Sequence, residues 1–261
     1  MTGSPRRWRR LAAVSLCAAT FFLSGCVYLR LLALKHQLGD FNKNFGLRTT
    51  DGLRLTCFNP VLLSGDLRWL GILPEKTAKK GRDEQWWVHW VKESSGDATE
   101  AEPAAQDLEL EINFTENKFS GFFIAERYFA FIPKSFFVGL LRGLGGASID
   151  KDKRSVSAEI ALSSNAAGGR PTAASLRSLL GTPTERNTSG GTTRLRYRYL
   201  PPTPGTANGD FDLLFIFDTV SGELVRMEGR SPVGQMLLNF QSSDAKSATN
   251  ATKSPASAPA R

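Results

Sequence analysis

The sequence is poor in the residues on which most chemistry depends. Its 261 residues include only two histidines, His36 and His89, and three cysteines. So little imidazole and thiol leaves scant material for a metal centre, which is built from clustered His, Cys, Asp and Glu. His89 has no Cys, Asp or second His at ligand spacing and reads as a strand histidine. No Gly-x-Ser-x-Gly elbow is present. The glycine-rich stretch 139–146 lacks the Gly-Lys-Ser/Thr ending of a phosphate loop. Asp150-Lys151-Asp152 starts like a calcium loop but lacks the sixth-position Gly and twelfth-position Glu, so it reads as a surface turn. No apolar run reaches about 20 residues, the length that spans a bilayer as a helix. On these absences the chain is expected not to be an enzyme, with no catalytic residues, no metal and no cofactor.

What is present suits a globular protein. The chain is 41% hydrophobic and 10% aromatic, with 24 Gly and 13 Pro, which excludes collagen-like repeats and wholesale disorder. The net charge of +8 is concentrated at the start. Arg6, Arg7, Arg9 and Arg10 precede the apolar run 11–23, and Leu23-Ser24-Gly25-Cys26 follows. A basic segment, a short apolar segment and a small-residue site make an export signal. Removing residues 1–25 takes away those four arginines and no acid, leaving 33 − 4 = 29 basic against 25 acidic residues, a net +4. Most of the basicity is therefore processing signal, and with export it argues against nucleic acid as a partner.

Leu23-Ser24-Gly25-Cys26 resembles the lipobox of bacterial lipoproteins. That resemblance implies cleavage before Cys26, acylation of its thiol and a lipid anchor. Val27, where inner-membrane retention signals have Asp, implies the outer membrane, facing the periplasm. Cys17 leaves with the signal and Cys26 carries lipid, so Cys57 has no disulfide partner. Among Leu53, Leu55 and Phe58 it reads as a small buried hydrophobe.

The expected architecture is α+β. Leu31, Leu34, Leu38, Phe41 and Phe45 recur at helical spacing within 27–45. That stripe suits packing on the domain or, alternatively, lying on lipid headgroups. Asn59-Pro60 reads as a helix start running to Leu70, with Gly71 as the stop. Residues 85–92 alternate, placing Trp86, Val88 and Trp90 on one face and Trp87, His89 and Val91 on the other. Residues 108–114 place Leu108, Leu110, Ile112 and Phe114 inward, and Glu109, Glu111 and Asn113 outward. Further strands are expected at 119–124, 155–162, 195–199, 211–217 and 223–227. Helices are expected at 133–144 and 172–180, and a disordered Ser/Ala/Thr/Pro-rich tail from 241.

Two stretches share an order of parts: 67–74 with 176–183, 86–91 with 195–199, 108–114 with 211–217, and 119–124 with 223–227. Each is a helix, a Gly-x-Pro-like stop and then three strands. The organisation expected is a signal (1–25), an N-terminal helix (26–46), two similar helix-plus-antiparallel-sheet modules (47–150 and 151–240) and a tail (241–261). Leu176-Arg-Ser-Leu-Leu-Gly-Thr-Pro183, Leu195-Arg-Tyr-Arg-Tyr199, Phe211-Asp-Leu-Leu-Phe-Ile-Phe217 and Gly222-Glu-Leu-Val-Arg-Met227 together resemble the SmpA/OmlA family of small outer-membrane lipoproteins. The resemblance covers about 55 residues and implies an accessory role in assembling β-barrel proteins. Expected core residues of this block are Leu179, Leu180, Tyr197, Phe217 and either Leu213 or Leu214.

Two surfaces stand out for contact. Arg194, Arg196 and Arg198 share a strand face, suited either to phosphates or to pairing with acids such as Glu223 or Asp212. Trp87 is the tryptophan of its strand expected outside the core. The functional expectation is a membrane-anchored, non-enzymatic scaffold or adaptor with an envelope protein as partner. The alternative is a lipid or amphiphile carrier using an aromatic-lined space between the modules.

Overall fold

A computed structural model of the chain describes residues 27–93, 107–130, 132–160, 170–201, 210–231 and 234–240. The expected signal segment, Cys26, residues 94–106 and 161–169, and the expected tail from 241 lie outside them. The fold is mixed, with helices and one large 13-stranded sheet.

Among the described residues, 27–39 are helical and form α1. Its Leu31, Leu34 and Leu38 pack half-buried against the adjacent sheet, so the stripe faces protein. The helical periodicity outruns the helix: a short turn, α2 (Phe41–Asn44), carries Phe41 into the core, and Phe45 opens strand β1 (Phe45–Arg48). β1 pairs antiparallel with β2 (Gly52–Cys57). Helix α3 spans Ser64–Trp69, not the 59–70 expected. The chain before it is drawn into the sheet, because the Leu62 carbonyl accepts the Phe119 N–H at 2.8 Å and Leu63 bridges Lys118. Asp66 then caps the helix by accepting the Leu63 N–H at 2.8 Å. Arg30 of α1 clamps the same carboxylate through Nε at 2.6 Å and Nη2 at 2.5 Å, fastening α1 to α3. Burial of Asp66 works against its charge, but the Arg30 guanidinium and the Leu63 amide outweigh it and hold the carboxyl below its usual range.

Strands β3 (Lys76–Lys80), β4 (Asp83–Lys92), β5 (Leu108–Thr115) and β6 (Lys118–Ala125) follow. Next come a 3-10 turn (Glu126–Ala130), helix α4 (Lys134–Gly143), and strands β7 (Ser148–Asp150) and β8 (Ser155–Ile160). Helix α5 (Ala173–Leu180) leads into β9 (Glu185–Ser189), β10 (Thr192–Leu200), β11 (Phe211–Asp218), β12 (Leu224–Ser231) and β13 (Gly234–Phe240). The sheet order is β1-β2-β6-β5-β4-β10-β11-β12-β13-β8-β7, with β3 on β4 and β9 on β10. All ladders are antiparallel except β13–β8, which is parallel and departs from the antiparallel pattern expected. Phe136 of α4 joins the buried cluster of α5 and β10–β13, and β7 pairs β8, although α4 and β7 both lie within 47–150.

The two halves meet where the ends of β4 and β10 pair, Lys92 opposite Tyr199 and Val91 opposite Leu200. Trp86 and Val88 of β4 share the inner face with Leu195, Tyr197 and Tyr199 of β10, and all five are buried. Leu67 of α3 belongs to the first cluster, and Leu176, Leu179 and Leu180 of α5 to the second. Leu213 is the buried member of the Leu213/Leu214 pair. Among the described residues, helices therefore cover one face of the sheet and leave the other free.

Details of pairing recur along the two halves. Asp83 pairs Lys80 and Thr192 pairs Ser189 at the tips of the β3–β4 and β9–β10 hairpins. Trp86 faces Ile112 as Leu195 faces Phe215. The ladders next to them slip at Asn113/Phe114 and at Ile216/Phe217. Leu63 bridges Lys118, and Thr172 bridges Glu223. The Glu75 N–H donates to the Trp87 carbonyl and the Thr184 N–H to the Arg196 carbonyl, each at 2.8 Å. Gly181 ends α5 at φ +71, a conformation that favours glycine. Gly121 has φ +153, and a Cβ there would fall 2.0 Å from the Leu55 carbonyl oxygen.

Candidate binding site on the outer sheet face

Alternation along a strand sends odd and even side chains to opposite faces. With Trp86 and Val88 committed to the core, Trp87 and His89 must face outward. Sheet register then sets their neighbours. One row across the first half runs Arg54 (β2), Phe123 (β6), Glu111 (β5), Trp87 (β4) and Lys76 (β3). Here the outer face forms a cleft of about 500 Å³, lined by side chains that include Glu75, Lys76, Trp87, His89, Glu109, Glu111 and Phe123.

The row alternates charge and ring. The Arg54 guanidinium lies 4.7 Å from the Phe123 ring centroid, and Lys76 Nζ lies 5.2 Å from that of Trp87. Both are within the reach of cation–π attraction. Glu111 sits between the two rings. It accepts one hydrogen bond from the neutral amide of Gln85, Nε2 to Oε2 at 2.9 Å. Among the described residues no cation lies at ion-pair distance from it. Glu109 pairs with Arg127 at 2.7 Å at the rim.

His89 lies between two carboxylates, with Nδ1 3.2 Å from Glu75 Oε2 and Nε2 2.9 Å from Asp107 Oδ2. The other oxygen of Asp107 accepts the Lys92 N–H at 2.9 Å. Burial works against the imidazolium, but the hydrogen bond and charge of Asp107, joined by Glu75, outweigh it and raise the His89 pKa above its ordinary value. The two acids bind opposite edges of the ring, so they do not converge on a common point. Among the described residues no group of three His, Cys, Asp or Glu side chains is disposed to hold a metal ion.

The contact residues expected from sequence fall on this same outer face but in two places. Trp87 lines the cleft. Arg194, Arg196 and Arg198 lie on β10 in the second half. Arg194 is exposed. Arg196 is held by Glu185 of β9, with Nη1 3.1 and 3.0 Å from the two carboxylate oxygens. Arg198 pairs with Asp210 and, at 3.6 Å, with Glu93. These partners replace the Glu223 and Asp212 expected from sequence: Glu223 pairs with Arg170 at 3.2 Å, while Asp212 faces Arg198 in register and makes no ion pair with it. The reason is β9, a polar strand without alternation that brings Glu185 alongside. Cys57 is buried with Phe41, Phe45 and Leu55. Its burial raises the thiol pKa against a weaker opposing contact with the Asn59 backbone.

Sequence reasoning named Glu109 and Glu111 as outward residues but not as a site. It did not single out Glu75, Asp107 or Phe123, whose convergence depends on strand order. Where a carrier would need an aromatic-lined space between the halves, the Trp90 and Phe211 rings meet at 6.3 Å and Lys92 Nζ lies 5.6 Å from the Tyr197 ring.

No family model, no curated protein and no solved structure matches this chain.

Proposed function

We propose that the chain is a lipid-anchored bacterial envelope lipoprotein of two similar α+β modules, acting by contact rather than catalysis, with the first module's outer sheet face as its contact surface. The anchor is supported by the basic, apolar and Leu-Ser-Gly-Cys succession ending at Cys26. Since residue 27, next to Cys26, is already helical, a lipid on Cys26 would leave almost no tether, holding the folded body against the membrane. Among the described residues no helix is long and apolar enough to cross a membrane. The twin-module reading is supported by the recurring hairpin registers, ladder slips, isolated bridges and loop hydrogen bonds. Val27 supports the outer membrane, and the SmpA/OmlA resemblance suggests that the partner belongs to outer-membrane assembly.

One observation carries the contact reading. In the first half the outer face keeps two aromatic rings and a carboxylate that has no counter-ion among the described residues in an open cleft, whereas at the places of the two rings the second half has Arg196 and Glu228, each in an ion pair. Crosslinking in the native cell, at the wild-type level, is expected to recover one dominant envelope protein. Cys26→Ser is expected to release the protein from membranes. Recovery of no partner, or full membrane retention of the Ser variant, contradicts the proposal.

A further inference from the structure

We infer that the outer-face cleft binds an organic ammonium ion, with Glu111 as the counter-charge and Trp87 and Phe123 as flanking rings. The inference rests on reading this face as the contact surface and names the chemistry of what it takes. Trp87 and Phe123 stand on strands β4 and β6, either side of β5. At about 4.8 Å per strand their backbones are roughly 10 Å apart, which leaves room above Glu111 for one small group between them. Both rings already attract cations, because the chain's own Arg54 and Lys76 lie over them. Glu111 is half-buried, and among the described residues its partner is a neutral amide. A ligand that covers Glu111 without neutralising it would leave a desolvated, unpaired charge, which is costly. That weighs against a neutral sugar. The Glu111 carboxylate, with no cation at ion-pair distance among the described residues, weighs against an anion. An alkylammonium satisfies both demands, since its charge meets the carboxylate and its alkyl groups meet the rings.

The second half is an internal control. At the places of Trp87, Glu111 and Phe123 it has Arg196, Leu214 and Glu228 in one row of the sheet. The same strand pairing is thus built there without a carboxylate between two rings, and backbone pairing alone does not demand the trio.

The test is a titration of the purified full chain in non-ionic detergent, followed through the Trp87 indole N–H resonance, which is assigned by its loss in Trp87→Phe. Choline or butylammonium is expected to shift that resonance with a dissociation constant of about 1 mM or below. Glu111→Gln, which keeps an acceptor for Gln85, is expected to weaken binding about ten-fold. Lys76→Gln removes a competing cation from the Trp87 ring and is expected to tighten it about two-fold. Equal binding of the uncharged choline isostere 3,3-dimethylbutanol, or of choline to Glu111→Gln, would overturn the inference, as would no shift at all. Free amine and lipid headgroup offer the same cation. Recruitment of the Cys26→Ser chain to phosphatidylcholine over phosphatidylglycerol vesicles assigns the headgroup, and amine binding without recruitment assigns the free amine. A chain that binds the amine but crosslinks to no envelope protein keeps this inference and defeats the contact reading. The reverse result defeats only this inference.

Discussion

Lys76 opposite Trp87 in the first half, and Glu185 opposite Arg196 in the second, sit at matching points of matching hairpins. One pair is a cation over a ring, the other an ion pair. One step along, the acid is shared and only its partner differs: Asp107 grips His89, and Asp210 grips Arg198. Strand geometry explains how one framework carries two surfaces. Inward side chains hold register against the helices, and a slip by one residue would turn all of them out. Outward side chains are released from that constraint. On the proposed twin-module reading, the open face is where the two halves are free to differ while the hydrogen-bonded framework is kept.

Matched substitutions probe the comparison. The largest effects belong to the inner face. Leu176→Ala, under the larger cluster and 1% exposed, is expected to cost about 3–4 kcal/mol in thermal or urea unfolding, and Leu67→Ala, at 6% exposed, about 2–3 kcal/mol. Equal and negligible costs would remove these helices from the core. The helix caps come next. Asp66→Ala strips the counter-ion from Arg30 and is expected to cost about 3 kcal/mol, while Ser175→Ala, which removes the hydroxyl that accepts the Thr172 N–H in the exposed cap of α5, costs about 1 kcal/mol. The depressed Asp66 pKa sets a sign: this stabilisation is present above the carboxyl's ordinary value and is lost as pH falls through the lower folded value. Asp66→Asn is expected to flatten the acid limb of the stability curve.

His89 titrates the other way. Its folded pKa is raised, so its contribution is complete below the ordinary imidazole value and fades as pH rises through the folded value. His89→Gln is expected to remove a loss of stability setting in above about pH 6.5, whereas Arg198→Gln, at the matching place, should leave the shape of that limb unchanged. An identical profile for wild type and His89→Gln would detach His89 from its two carboxylates. The smallest effect is expected at Arg196→Ala, which breaks an exposed pair and should cost about 0.2–1 kcal/mol.

Legibility in the sequence followed the same inner–outer division. The alternation of LELEINF announced a half-buried strand, and Trp86 and Val88 lie where period two puts them, whereas the choice between Leu213 and Leu214 was open and the structure buries Leu213. Trp87 was readable as outward for the same reason. β3 and β9 were not, because KTAKK and ERNTS carry no apolar face; they exist through hairpin pairing with β4 and β10. The parallel pairing of β13 with β8 joins segments far apart in the chain, so no local pattern foretold it. The start of α3 was misplaced because Pro60 mimics a helix opening, while a bridge to Lys118 holds Leu63 extended. The cleft stayed hidden although Glu111 and Trp87 were each read as outward. Their meeting with Phe123 is a property of strand order, which single-strand periodicity does not contain.

The contact claim is tested most directly by a photo-crosslinking aromatic residue placed in the living cell at position 87 or, as its matched partner, at position 196. The expected result is one strong adduct with an envelope protein from position 87 and none from position 196. Equal adducts from both positions, or an adduct from 196 alone, would contradict it.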